Sequence, residues 1–226
     1  MLLLRSLTLW ISLLVWFCLP APVSAEEGPA VASANQGLPS FESLLEGKHY
    51  TLMRNPPPIT SDRPQVLNVF NFRCPHCFHL HPLFAAWAEK NQGRFDIRSV
   101  PIVFAHQSDL PVRAYFTALL LGKGKEMEHL LFKANFQDGL DIDSPDVIAL
   151  LAEGVGLKAD AFKGQLDSFG VVTKVAQAKA QAQAFGVTGT PSLIVNGRYL
   201  VQGSQSGDWE RVLAIAETLA THEVKR

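Results

Sequence analysis

The chain has 226 residues, 20 Lys and Arg against 21 Asp and Glu, 47% apolar residues and three cysteines. That charge balance argues against nucleic acid or a strongly charged partner. A chain of this length can bury a real core without structural disulfides, so its few cysteines are expected to serve chemistry rather than folding.

Residues 1–25 read as a cleavable secretory signal. Arg5 supplies the positive start, Leu7 to Leu19 the apolar run, and Val23-Ser24-Ala25 a small-residue cleavage site before Glu26-Glu27. The run is too short to span a membrane comfortably. Cys18 follows Val15-Trp16-Phe17 rather than the small residues of a lipoprotein processing site. Cleavage removes Arg5 and no acid, leaving 19 basic against 21 acidic residues, net −2. The mature chain is then expected in an oxidising compartment, where disulfides persist. It would keep only Cys74 and Cys77.

Residues 26–40 have little to pack and read as a flexible lead-in. Phe41 begins the fold, His49 to Leu52 a short strand, and Asn55-Pro56-Pro57-Pro58 a break. Val66 to Phe72 is mostly apolar on both faces, as a central strand of a covered sheet should be. Leu80, Leu83, Phe84, Trp87 and Ala88 then recur at helical spacing, with Pro82 expected to kink the helix and Gly93 to close it. Phe95 to Phe104 reads as a second inner strand. From Leu110 to Phe185 only helical segments are expected, divided at Gly122 and Gly124, Gly139, Ser144-Pro145, Gly154 and Gly156, and Gly170. The last, Val171 to Phe185, ends at a Gly186 cap. Strands return at Ser192–Val195 and Arg198–Val201 around the hairpin signal Asn196-Gly197. Trp209, Val212, Leu213 and Ala216 mark a closing helix. The expected class is α/β: an α/β domain over residues 41–104 and 175–226, with an all-helical insertion at 105–174.

The chemistry centres on Cys74-Pro75-His76-Cys77, placed between a strand and a helix. A lone C-x-x-C is a poor metal cage but a natural redox couple. With Cys74 as helix N-cap, Pro75 falls at the first helical position, where its missing N–H is not needed. A sulfur at the cap faces the free backbone donors and the positive end of the helix dipole, which favours a thiolate. Cys77 lies one turn inside, with fewer free donors. Cys74 is therefore expected to exchange with substrate and Cys77 to complete the ring, and stabilising the Cys74 thiolate makes the couple an oxidant. A protonated His76 would push the same way.

Phe70-Asn71-Phe72-Arg73-Cys74-Pro75-His76-Cys77 resembles the active-site stretch of the DsbA family of periplasmic thiol–disulfide oxidoreductases. Gly189-Thr190-Pro191, followed by Ser192 to Val195, Asn196-Gly197 and Tyr199, is similar to that family's cis-proline loop and hairpin. The resemblance runs from about Phe41 onward. It implies a thioredoxin fold with an inserted all-helical domain and a periplasmic location. It also implies donation of a disulfide to exported proteins with reduced cysteines, and reoxidation by a quinone-linked membrane oxidase of the DsbB type. No cofactor is implied beyond the cysteines. Pro75, Thr190 and Pro191 would face substrate, with a cis bond at Thr190-Pro191. The sequence departs from the family at two positions. Asn68 replaces a buried acid common six residues before the first cysteine, removing a group that would relay a proton from Cys77. Thr190 stands where oxidases usually have Val and isomerases Thr, and its hydroxyl is expected to lower the sulfur's reactivity or shift its potential.

Two other readings compete. A disulfide isomerase, or a dual oxidase and isomerase, is suggested by Thr190, although residues 26–40 are too short and polar to form a dimerisation domain. A Cys/His metal-binding protein is the remote alternative, because His76, His79 and His81 follow the cysteines. Those three histidines point around different sides of one helix, so no metal is expected and His79 and His81 are read as solvent-facing.

Overall fold

The structure is a computed structural model that describes residues 37–54, 61–202 and 208–224. The expected signal at 1–25, most of the lead-in and the proline run at 56–58 lie outside the described residues.

A five-stranded sheet organises the chain, in the order β1-β5-β4-β2-β3. These strands are β1 (Thr51–Leu52), β2 (Gln65–Phe70), β3 (Asp96–Pro101), β4 (Ser192–Val195) and β5 (Tyr199–Gln202). β2 pairs in parallel with β3 and antiparallel with β4. All six β2 residues are buried, the polar Gln65 and Asn68 included, as a mostly apolar central strand requires. β1 is shorter than the run His49–Leu52, with only an isolated bridge between Glu46 and Tyr50 preceding it. At the hairpin, Asn196 and Gly197 both take positive φ, 51° and 60°. Arg198 N–H closes the turn onto the Val195 carbonyl at 3.0 Å.

The expectation of a second inner strand is corrected. β3 lies at the sheet edge and pairs only with β2 among the described strands. The physical reason is topological: the chain forms helices from Leu110 to Ala184, so no further strand is available to cover β3, and β4 takes the other side of β2.

The helices are α1 (Pro75–Asn91), α2 (Leu110–Leu120), α3 (Gly124–Phe136), α4 (Pro145–Gly154), α5 (Ala159–Gln165), α6 (Phe169–Ala184) and α7 (Trp209–Val224). α1 continues through Pro82 without a break. α6 starts earlier than the glycine pattern implied, because Ser168 caps it and accepts the Val171 N–H at 3.4 Å. Gly170 therefore lies inside its first turn rather than dividing two helices.

Two apolar cores meet at β2 and α1. One joins Leu67, Val69, Phe70, Phe72 and Cys77 to side chains of the helical stretch, among them Met127, Leu131, Phe132 and Ile148. The other joins Val66, Leu80 and Phe84 to β4, β5 and α7. Val66 and Leu67 thus anchor β2 in different layers, while Val69 and Phe70 both join the core with the helical stretch, next to the turn that follows β2.

Candidate functional site

Cys74 caps α1 with extended backbone (φ −90°, ψ 116°), and Pro75 occupies the first helical position. Cys74 Sγ accepts the Cys77 backbone N–H at 3.3 Å. The peptide bond Thr190-Pro191 is cis, and the Thr190 carbonyl lies 3.2 Å from Cys74 Sγ. Ser192 Oγ bonds back to the Gly189 carbonyl at 2.8 Å, bracing the loop beside the cysteines. Cys74, Pro75, His76, Cys77, Thr190 and Pro191 are thus brought together, although the two segments are separated by more than a hundred residues.

Both cysteines are free thiols, and their surroundings differ. The Cys74 pKa falls to about 5. The Cys77 thiol donating to its sulfur is the largest cause; partial burial works against it, and the Thr190 hydroxyl and the backbone N–H groups of Cys77 and His76 reinforce the fall. The contact with the Thr190 carbonyl favours the protonated thiol, and the donors outweigh it. Burial pushes the Cys77 thiol well above the ordinary range, and the neighbouring Cys74 sulfur pushes it further. One sulfur is therefore a half-exposed thiolate at neutral pH and the other a buried thiol. This asymmetry suits a nucleophile and its resolving partner.

His76 is exposed, its ring 6.0 Å from that of Trp209. His79 is exposed as well. His81 departs from the solvent-facing expectation: it is mostly buried, and its Nδ1 lies 3.3 Å from Glu128 Oε1, itself buried on α3. The sequence spacing could not reveal this partner, which comes from a different helix. Among the described residues no group of three His, Cys, Asp or Glu side chains converges as metal ligands would. Asn68 is buried at the position of the family's acid, and its Oδ1 has no hydrogen-bond partner among the described residues.

Sequence reasoning missed the residues that hold the turn before Cys74. Arg73 pairs with Asp143, in the loop before α4. Asn135 Nδ2 donates to the Phe72 carbonyl at 3.1 Å. Asn71, buried between two phenylalanines, donates to the Ile102 carbonyl and to Gln107 Oε1 at 2.8 and 2.7 Å. A polar amide inside an apolar run was the available signal for Asn71, and nothing local marked its partners.

Comparison with known proteins agrees with this geometry. The family model for the DSBA-like thioredoxin domain matches residues 65–211. The thiol:disulfide interchange protein DsbA of Azotobacter vinelandii is 28% identical over 178 residues, covering 78% of this chain and 83% of that protein. The crystal structure of the oxidoreductase DsbA from Xylella fastidiosa superposes with a TM-score of 0.74 at 29% identity, over 81% of this chain and 99% of that one. The crystal structure of Pseudomonas aeruginosa DsbA, 24% identical, matches in fold with a TM-score of 0.76 over 83% of this chain and 98% of that one.

Proposed function

This chain belongs to the DSBA-like thioredoxin family and is a thiol:disulfide oxidoreductase, and from that premise we propose that it donates its Cys74–Cys77 disulfide to exported proteins. The observation that carries the direction is the asymmetry of the pair: a thiolate held at about 5 beside a buried, reluctant thiol. Stabilising the reduced form in this way makes the disulfide a strong oxidant.

A substrate thiolate attacks Cys74 Sγ of the disulfide. The Cys74–Cys77 bond breaks, and Cys77 leaves as a thiolate that takes up a proton in its buried site. A second substrate thiolate then attacks the substrate sulfur of the mixed disulfide and releases Cys74 as its stabilised thiolate. The substrate is oxidised by two electrons and the pair is reduced by two. Thr190, Pro191 and Pro75 line the approach to Cys74, and His76 stands at its edge as a tuning group. Reoxidation is assigned to a quinone-linked membrane oxidase of the DsbB type. Residues 1–25 export the chain to the periplasm, and residues 105–174 form an inserted helical domain on the thioredoxin-like sheet. Among the described residues no helix is long and apolar enough to cross a membrane.

The isomerase reading gains no separate support. The Thr190 hydroxyl helps to lower the Cys74 pKa, which pushes the couple toward oxidation. The test is the redox equilibrium of the cysteine pair against glutathione. A potential above about −200 mV is expected, and a value near about −270 mV, thioredoxin's range, would overturn the donor assignment.

A further inference from the structure

Asn71 is only 2% exposed and stands where β2 gives way to the turn that opens α1. Its Nδ2 donates to the Ile102 carbonyl at 2.8 Å and to Gln107 Oε1 at 2.7 Å. Its Oδ1 accepts the Arg73 N–H at 2.7 Å, an Asx turn across two residues. Its carbonyl accepts the Cys74 N–H at 3.1 Å. Gln107 Oε1 also takes the Phe104 N–H at 3.0 Å. One buried carboxamide therefore ties together the turn at 71–74, the chain just past β3 and the loop at 103–108.

Phe70 and Phe72 flank Asn71 in sequence, and both are buried in the apolar core. Leucine has the same branched four-atom skeleton as asparagine, with bulkier methyl ends, and would suit that apolar setting, whereas a buried amide stripped of its partners costs about 1–3 kcal/mol. The amide is fully used: one of its three contacts, from the Arg73 N–H, lies on the turn that carries Cys74, and the other two tie that turn to the chain beyond β3. The hydrogen bond from Cys77 N–H to Cys74 Sγ, at 3.3 Å, is well formed for a sulfur acceptor, and a displacement of the cap would lengthen it and weaken the hold on the thiolate. The Asn71 backbone also acts to lower the Cys77 pKa against the effect of burial, and Cys77 leaves as a thiolate in the first step of exchange.

We propose that Asn71 is a positioning residue for disulfide exchange, its carboxamide fixing the turn that presents Cys74 to its donors and, through Gln107, making the loop at 103–108 part of the same adjustment. This rests on the reading of Cys74 as the exchanging sulfur. A purely structural role predicts lower stability alone. A positioning role predicts a change at the sulfur as well.

The test uses the whole mature protein and its thiolate absorbance near 240 nm, together with the glutathione equilibrium and urea unfolding. Asn71→Leu is expected to raise the Cys74 midpoint by about one unit and to shift the glutathione equilibrium about tenfold toward the disulfide. Gln107→Leu should move both readouts the same way by less, and the double variant should add little to Asn71→Leu, since the two side chains act as one unit. An unchanged midpoint in Asn71→Leu, with stability lost, would overturn the proposal. If that variant does not fold, Gln107→Leu decides: a raised midpoint upholds the proposal and an unchanged one overturns it. Cys74→Ser separates the two levels. A titration or exchange that survives Cys74→Ser would overturn the role of Cys74 itself, whatever the Asn71 variants do.

Discussion

At the first turn of α1, Cys74 Sγ faces the Cys77 thiol and N–H, the His76 N–H and the Thr190 hydroxyl, with no acid in that turn to oppose them. At the far end of the same helix the polar groups are matched one to one. Trp87 Nε1 donates to Glu217 Oε2 at 2.9 Å, and Arg94 donates to Glu217 Oε1 and to Asn91 Oδ1, each at 2.6 Å. Asn91 Nδ2 closes the circuit on the Trp87 carbonyl at 3.0 Å. An excess of donors around one half-exposed sulfur makes its charge responsive to small changes. A matched network around a buried carboxylate instead clamps α1 to α7. The same helix thus has a reactive end and a structural end, and variants should separate them.

The largest effect is expected at the reactive end. Cys74→Ser should abolish oxidation of reduced substrate proteins. Cys77→Ala should accumulate mixed disulfides on Cys74 that a reducing agent releases, read on non-reducing gels. Few adducts on Cys77→Ala, or adducts persisting in Cys74→Ser, would reverse the roles of the two sulfurs. At the structural end, Glu217→Ala leaves Trp87 and Arg94 without their acceptor and should cost about 2–3 kcal/mol by urea unfolding. The Cys74 thiolate midpoint should stay at about 5 in that variant. A moved midpoint would show that the two ends are coupled.

The third expectation is a pH dependence. The folded Cys74 pKa, about 5, lies below that of an unfolded thiol, so its ionisation stabilises the reduced fold above the unfolded pKa, and that contribution is lost as pH falls through 5. The reduced protein should melt above the oxidised one at pH 7, by about 1 kcal/mol after allowing for solvent around a half-exposed sulfur. That gap should shrink toward pH 5. A higher melting temperature for the oxidised protein at pH 7 would break this expectation.

His76→Ala keeps the backbone N–H and removes the exposed imidazole. The Cys74 midpoint should rise by less than about one unit, a several-fold shift in the glutathione equilibrium. No shift would make the imidazole incidental. The smallest change is expected from Thr190→Val, which removes one of several donors at nearly equal volume. A rise in midpoint of about 0.3–0.5 units and a slightly less oxidising couple should follow. A more oxidising couple would mean that the hydroxyl restrains the sulfur, as the sequence alone had suggested.

Much of the reactive end was legible in the sequence. Cys74 as N-cap, Pro75 at the first helical position and Cys77 one turn inside follow from rules acting over four residues. The structural end was half legible: the spacing placed Trp87 on the apolar face of α1 and Trp209 on that of α7, but it could not show the Trp87 N–H reaching Glu217. His81 was misread for the same reason, since Glu128 belongs to another helix.

Local chemistry by itself determined the cap at Cys74, the burial of β2 and the Asn196-Gly197 turn, because backbone donors, side-chain alternation and positive φ are decided among near neighbours. Tertiary structure decided which strand became the edge, which loop met Cys74 and what Asn71 would hold. Thr190 is 116 residues from Cys74 and Gln107 is 36 from Asn71. Such contacts depend on sheet order and on how helices pack across it, and no local preference encodes them. The thiolate therefore has two origins: a helix start written in four residues, and a hydroxyl and a buried amide network that only the folded chain brings to it.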